Sequence, residues 1–136
     1  MSEKPHKKLI VWQKAMDAVG EMYRLTERFP SEERFGLVSQ MRRASISIAT
    51  NIAEGAARQT TKERLQFLFI SRGSLSELDT QLEIAERLGL IRTEQRTITQ
   101  PIIEEIGRLL NGLIVSQEQR RVRAPSDHSL TSSLTH

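Results

Sequence analysis

Apolar residues recur along most of this chain at the three-to-four spacing of a helix face, and no segment reads as a strand. Leu9, Trp12, Met16, Val19, Tyr23 and Thr26 make a first stripe, with Ala15 and Met22 beside it, and predict a helix from Lys8 to Arg28. Phe29-Pro30 ends it, because the residue before a proline is pushed out of the α region. Ser31, followed by Glu32 and Glu33, then reads as the N-cap of a second helix whose acidic first turn suits the helix dipole. That helix carries Leu37, Met41, Ala44, Ile48 and Ile52 on one stripe and Ser45, Ala49 and Ala53 on another, and ends at Gly55. Small side chains let a neighbouring backbone come close, which predicts that this helix is central to the packing.

Thr60 and Thr61 with Glu63 mark a third N-terminus. Leu65, Leu68, Leu75, Leu78, Leu82 and Ala85 follow on one face, and Gly89 stops the helix from the position glycine favours after a C-terminus. The run Leu65 to Ile70 is apolar on more than one side, so Phe67 and Phe69 are candidates for contact with another subunit, core filling being the alternative. A fourth helix begins at Thr93 or Thr97 and presents Ile98, Ile102, Ile106, Leu109 and Leu113, with Ile103 and Leu110 alongside. Pro101 falls near its first turn, and the helix is expected to fray beyond Gln117. The short connections favour antiparallel neighbours. The expected fold is all-α, an antiparallel up-down four-helix bundle over residues 9–119. A flexible segment over 1–8 precedes it, and a disordered, Ser/Thr-rich polar tail over 120–136 follows.

Composition sharpens this picture in two ways. A chain of 136 residues supports one core, and with only 4% aromatic residues that core is built from aliphatic side chains, as helix-on-helix packing allows. The absence of cysteine removes disulfides, thiolate metal sites and cysteine nucleophiles, and agrees with a reducing compartment. No signal-peptide core or membrane span is evident, so a cytoplasmic location is expected, with no membrane partner.

The chemistry of catalysis is hard to assemble from what remains. His6, His128 and His136 all lie in the predicted tails, so the helices supply no imidazole for a metal or a general base, and no enzyme, metal or cofactor is expected. Asn51 with Glu54, and Glu77 with Gln81, share helix faces at three- and four-residue spacing. They are candidates for a buried hydrogen-bond network that fixes helix register, in preference to catalysis.

Charge points in another direction. The net charge is +3, and Arg24, Arg28, Arg42, Arg43, Arg58 and Lys62 are candidate phosphate contacts, with Arg64 beside them and a further group, Arg120, Arg121 and Arg123, ending the fourth helix. In a cyclic oligomer each patch would repeat around the ring and strengthen the field. With so few aromatic rings for stacking, binding is expected mostly to backbone and shape. RNA or DNA is therefore one expected partner, and a partner protein recruited by a scaffold is the alternative.

Several motifs fall in a characteristic order. They are Leu9-Ile-Val-Trp12-Gln-Lys-Ala15, Tyr23-Arg-Leu-Thr26, Phe29-Pro30, Gly36-Leu37, Gln40-Met-Arg42-Arg43-Ala44, Ser47-Ile48, Asn51-Ile-Ala-Glu54-Gly55, Gly73-Ser74, Glu77-Leu78 and Thr80-Gln81-Leu82. Over Leu9 to Leu113 the chain thereby resembles the bacterial four-helix-bundle proteins encoded within intervening sequences of 23S ribosomal RNA genes. That family resembles in fold the accessory variability determinant of diversity-generating retroelements, a basic pentameric barrel that binds nucleic acid and a reverse transcriptase. The resemblance implies a homopentamer of antiparallel bundles. For most members it brings a fold and a genomic setting without a biochemical activity.

Overall fold

The computed structural model describes residues 4–123. Four helices account for most of them: α1 (Ile10–Thr26), α2 (Ser39–Ala56), α3 (Thr61–Arg87) and α4 (Thr93–Arg123). No strand occurs among the described residues. Each helix runs opposite to the one before it. The start of α2 meets the end of α1, where Arg42 Nε donates to Thr26 Oγ1 at 2.9 Å. In mid-helix Ser71 Oγ of α3 donates to the Ile48 carbonyl of α2 at 2.9 Å. The start of α4 meets the later part of α3 through Arg96 and Asp79 at 3.4 Å.

The predicted stripes of α2 and α3 are the buried ones, except that Leu37, in the turn before α2, and Ala53 are half-buried. Met41, Ala44, Ile48 and Ile52 face Leu65, Leu68, Leu75, Leu78, Leu82 and Ala85, all buried. Ser45 and Ala49 are buried as well, and a methyl group added at Gly55 would sit 3.2 Å from the Arg64 carbonyl and 3.3 Å from Phe67 Cβ. The helices therefore come closest where side chains are smallest, as expected for a central helix.

In α1 and α4 the buried faces are rotated from the predicted ones. Val11, Ala15, Ala18, Met22 and Thr26 are buried in α1, whereas Met16 and Tyr23 are exposed. In α4 the buried residues are Thr99, Ile103, Ile106, Leu110, Ile114 and Gln117. Ile98 is exposed, and Ile102, Leu109 and Leu113 pack only partly against the core. Bulk marked a stripe in the sequence, but the packed side of α1 is the one with small residues, where backbones can approach. Phe67 is half-buried and Phe69 exposed, so neither phenylalanine simply fills the core.

The helix ends show which local signals govern. Thr60 caps α3, its Oγ1 accepting from Glu63 N at 3.2 Å, and such a cap contributes about 1 kcal/mol. Gly89 closes α3 at φ +74°, with Leu90 N donating to the Ala85 carbonyl at 2.9 Å and Gly89 N to that of Glu86 at 3.0 Å. This is the six-to-one and five-to-two pairing of a Schellman motif, and it seats Ile91 in the core.

Three local expectations change. Ser31 does not cap a long helix: it opens a 3-10 turn over Ser31–Glu33, and a wider turn over Arg34–Val38 breaks from helical backbone at Gly36 before α2 begins. Pro5–Lys8, expected to be flexible, forms a 3-10 turn against α1, with the His6 ring edge-on to Trp12 at 4.8 Å and Gln13 Nε2 donating to the Lys7 carbonyl at 2.9 Å. Finally, α4 starts at Thr93, which puts Pro101 in its third turn, and runs on to Arg123, beyond the fraying expected after Gln117. His128, His136 and residues 124–136 of the predicted tail lie outside the described residues.

Candidate nucleic-acid interface

Alternating helix direction decides which basic residues meet. Arg24 and Arg28, near the end of α1, share one end of the bundle with Arg42 and Arg43, near the start of α2. Arg58 and Lys62 flank the α2–α3 connection at the opposite end, separated from the first group by the length of α2, about 27 Å at 1.5 Å per residue. The six candidate phosphate contacts are thus two groups.

The second group gains neighbours from distant parts of the sequence. Arg72 of α3 donates to Asn111 Oδ1 of α4 at 3.2 Å, which fixes the level of the two helices. Twelve residues further along α4, Arg123 comes level with the start of α3, eleven residues before Arg72. The last turn of α4, with Arg120, Arg121 and Arg123, therefore lies at the same end as Arg58, Lys62 and Arg64. Lys7 and Lys8 join them, because the turn they occupy precedes α1 and contacts α2. On these three segments the only acidic side chains are Glu54, Glu63 and Glu118, whereas the whole chain has a net charge of +3. The remaining described residues carry as many acidic as basic side chains, so the net positive charge of the described residues is concentrated at one end.

The side chains at that end differ in what they have left to offer. Arg64 Nε and Nη2 donate to the carbonyls of Arg58 and Gln59 at 3.0 and 3.1 Å, closing the α2–α3 connection. Arg58 stacks 4.7 Å from the centre of the Phe67 ring and pairs with Glu54 at 3.6 Å, so Phe67 supports an arginine at the rim. Lys7, Lys8, Lys62, Arg120, Arg121 and Arg123 have no ion pair among the described residues.

The other end is balanced by comparison. Arg24 pairs with Glu21 at 2.7 Å, Arg87 with Glu83 at 2.7 Å and Arg92 with Glu94 at 3.8 Å. Arg42 is committed within the fold: beyond its bond to Thr26 it donates to the Tyr23 carbonyl at 3.3 Å and lies 4.3 Å from the centre of the Tyr23 ring. It adds a donor to a carbonyl in the last turn of α1 that already accepts from Glu27 N at 3.1 Å, and ties α1 to α2. Arg28 and Arg43 are exposed and have no ion pair among the described residues, but Glu27, Glu32 and Glu33 stand on the same loop and helix ends.

The expected polar network is also divided. Glu54 and Glu77 are exposed, the first paired with Arg58 and the second accepting from Gln81 Nε2 at 3.3 Å. Asn51 is half-buried and belongs to a different set, donating to Ser47 Oγ at 3.0 Å, which bonds Ser74 Oγ of α3 at 2.8 Å. The serines, absent from the expected network, are what join the helices. Phe69 lies 5.2 Å beneath Arg72 at the surface. Among the described residues no group of three or more His, Cys, Asp or Glu side chains could hold a metal ion, and no helix is long and apolar enough to cross a membrane.

Fold and surface together define a small helical-bundle protein with one basic and one charge-balanced end. Residues 7–112 match the family model described as 23S rRNA-intervening sequence protein, and the chain belongs to that family. The same fold is seen in the crystal structure of a protein of unknown function from the S23 ribosomal protein family of Bacteroides thetaiotaomicron VPI-5482. The two share 24% identity over 77% of this chain and 98% of that one, with a TM-score of 0.69. No curated protein matches the chain.

Proposed function

We propose that this protein is a non-enzymatic, homopentameric accessory protein that binds nucleic acid through phosphate contacts at its basic end. The observation that carries this reading is the gathering of Lys7, Lys8, Lys62, Arg120, Arg121 and Arg123, none with an ion pair among the described residues, at one end of a bundle whose other described residues are balanced in charge. A cluster of unpaired cations releases counterions when it meets a polyanion, and repetition around a ring multiplies that gain. RNA is the natural partner for a family named after intervening sequences of 23S rRNA. With no aromatic ring left bare at this end, the contacts are to the backbone and carry little sequence information.

A titration of the nuclease-treated protein with structured RNA and duplex DNA at two salt concentrations, with light scattering on the same sample, tests the reading. Salt-sensitive binding by a pentamer supports it, and no binding at low salt overturns it. A second reading, a scaffold that recruits a protein, is favoured by Phe35, which is 90% exposed on the turn before α2 at the charge-balanced end. Protein partners that stay bound after nuclease treatment, and are lost with Phe35→Ala, would favour the scaffold.

A further inference from the structure

Part of the sequence motif has no place in the core or at the basic end. Gln40, Arg43 and Ser47 on α2 line one groove with Ser74 and Glu77 on α3, over a floor formed by Ala44. Its walls carry opposite charges that do not pair with each other, since Arg43 and Glu77 form no ion pair among the described residues. Glu77 is steadied by Gln81, which is only 5% exposed and donates to it at 3.3 Å. The two serine hydroxyls share one hydrogen bond of 2.8 Å, and Asn51 donates to Ser47 Oγ at 3.0 Å. Two hydroxyl protons and one shared bond leave a proton free, whichever serine is the donor, so the groove holds an O–H donor besides Arg43.

This arrangement disfavours a simple ion. A free anion meets Glu77, a free cation meets Arg43, and neither satisfies both walls. It suits a neutral, rigid body with paired donors on one edge and paired acceptors on another. Among the common nucleobases guanine has that pattern: N1–H and the N2 amine match the two oxygens of a carboxylate, and O6 and N7 match an arginine fork. Guanine paired in a duplex hides the first edge, so the ligand must be unpaired.

We infer that the α2–α3 groove binds an unpaired guanine base, with Glu77 accepting from N1–H and N2–H, Arg43 donating to O6 and N7, and the serine hydroxyl serving as a further donor. This rests on the nucleic-acid reading above and adds to it a site of base preference away from the basic end.

The test is fluorescence anisotropy of the intact protein with single-stranded RNA heptamers of uridine that carry G, A, C or U at the centre, at one fixed salt concentration. The G oligomer is expected to bind about tenfold or more tightly than the all-U oligomer, the discrimination typical of a good bidentate base contact. Inosine, which lacks the N2 amine, and 7-deazaguanine, which lacks N7, are each expected to lose several-fold of that preference with the protein unaltered. Glu77→Gln, which keeps one acceptor oxygen, should lower the ratio of G to all-U affinity several-fold, both oligomers being measured on the same variant. Equal affinity for all four oligomers overturns the guanine site and leaves phosphate binding standing, whereas no binding of any oligomer at low salt overturns both.

Discussion

Where α1 ends and α2 begins, Arg24 is spent on Glu21 and Arg42 on Thr26 and the Tyr23 carbonyl, and Arg28 and Arg43 stand among Glu27, Glu32 and Glu33. Where α2 gives way to α3 and α4 stops, Lys62 and the arginines of the last turn have no ion pair among the described residues. Arginines thus do different work according to their surroundings, and the ones without a partner or a nearby acid gather at the basic end. A guanidinium that bonds a neighbouring helix contributes to stability and has little left for a ligand. An unpaired one adds little to stability and much to the field that a polyanion meets.

The largest expected effect comes from emptying the basic end. Replacing Lys62, Arg120, Arg121 and Arg123 together by Ala is expected to weaken RNA binding by about two orders of magnitude, with the salt slope falling by about 0.9 for each phosphate that is no longer neutralised. Stability should change by no more than about 0.5 kcal/mol for each surface substitution, as urea unfolding would report. An unchanged salt slope would remove these residues from the interface.

Arg42→Ala is expected to do the reverse. It takes away two hydrogen bonds and a cation–π contact at the α1–α2 junction and should cost about 1–3 kcal/mol in urea unfolding. RNA affinity measured below the unfolding transition should remain as in the parent. A folded, stable variant that had lost RNA binding would show that Arg42 serves a ligand after all, and the contrast between the ends would fail.

The smallest effect is expected for Asp79→Asn, which weakens the 3.4 Å pair between α3 and Arg96 of α4. Asp79 is partly solvated, so the loss should stay below about 1 kcal/mol and fade in high salt. A larger cost that persists in high salt would mean that this pair, rather than apolar packing, holds α4 in place.

Much of the fold was legible along the chain. The α2 and α3 stripes, Thr60 as a cap and Gly89 as a stop all follow from rules that act over a few residues, where spacing and backbone freedom leave little choice. The α1 face was misplaced because Met16 and Tyr23 outweigh Ala15 and Ala18 in bulk, although the alanines are what a close neighbour needs. The candidate site was less legible still. Arg58 and Lys62 stood out next to one another, but nothing local joins them to Lys7 or to Arg123, and the basic end exists only once the four helices are set in alternating directions. The signal was present in the short connections, which imply that the starts of α1 and α3 and the ends of α2 and α4 fall together.

Sequence alone thus determined that this protein is all-helical, which family it resembles and that the helical core contains no histidine or cysteine, because those properties reside in spacing, motif order and residue inventory. Tertiary structure decided which side of α1 and α4 is buried, that Arg42 belongs to the fold, and that Ser47, Ser74, Arg43 and Glu77 share a groove. Those outcomes depend on how helices rotate and align against one another, a choice made by packing between residues far apart in the chain.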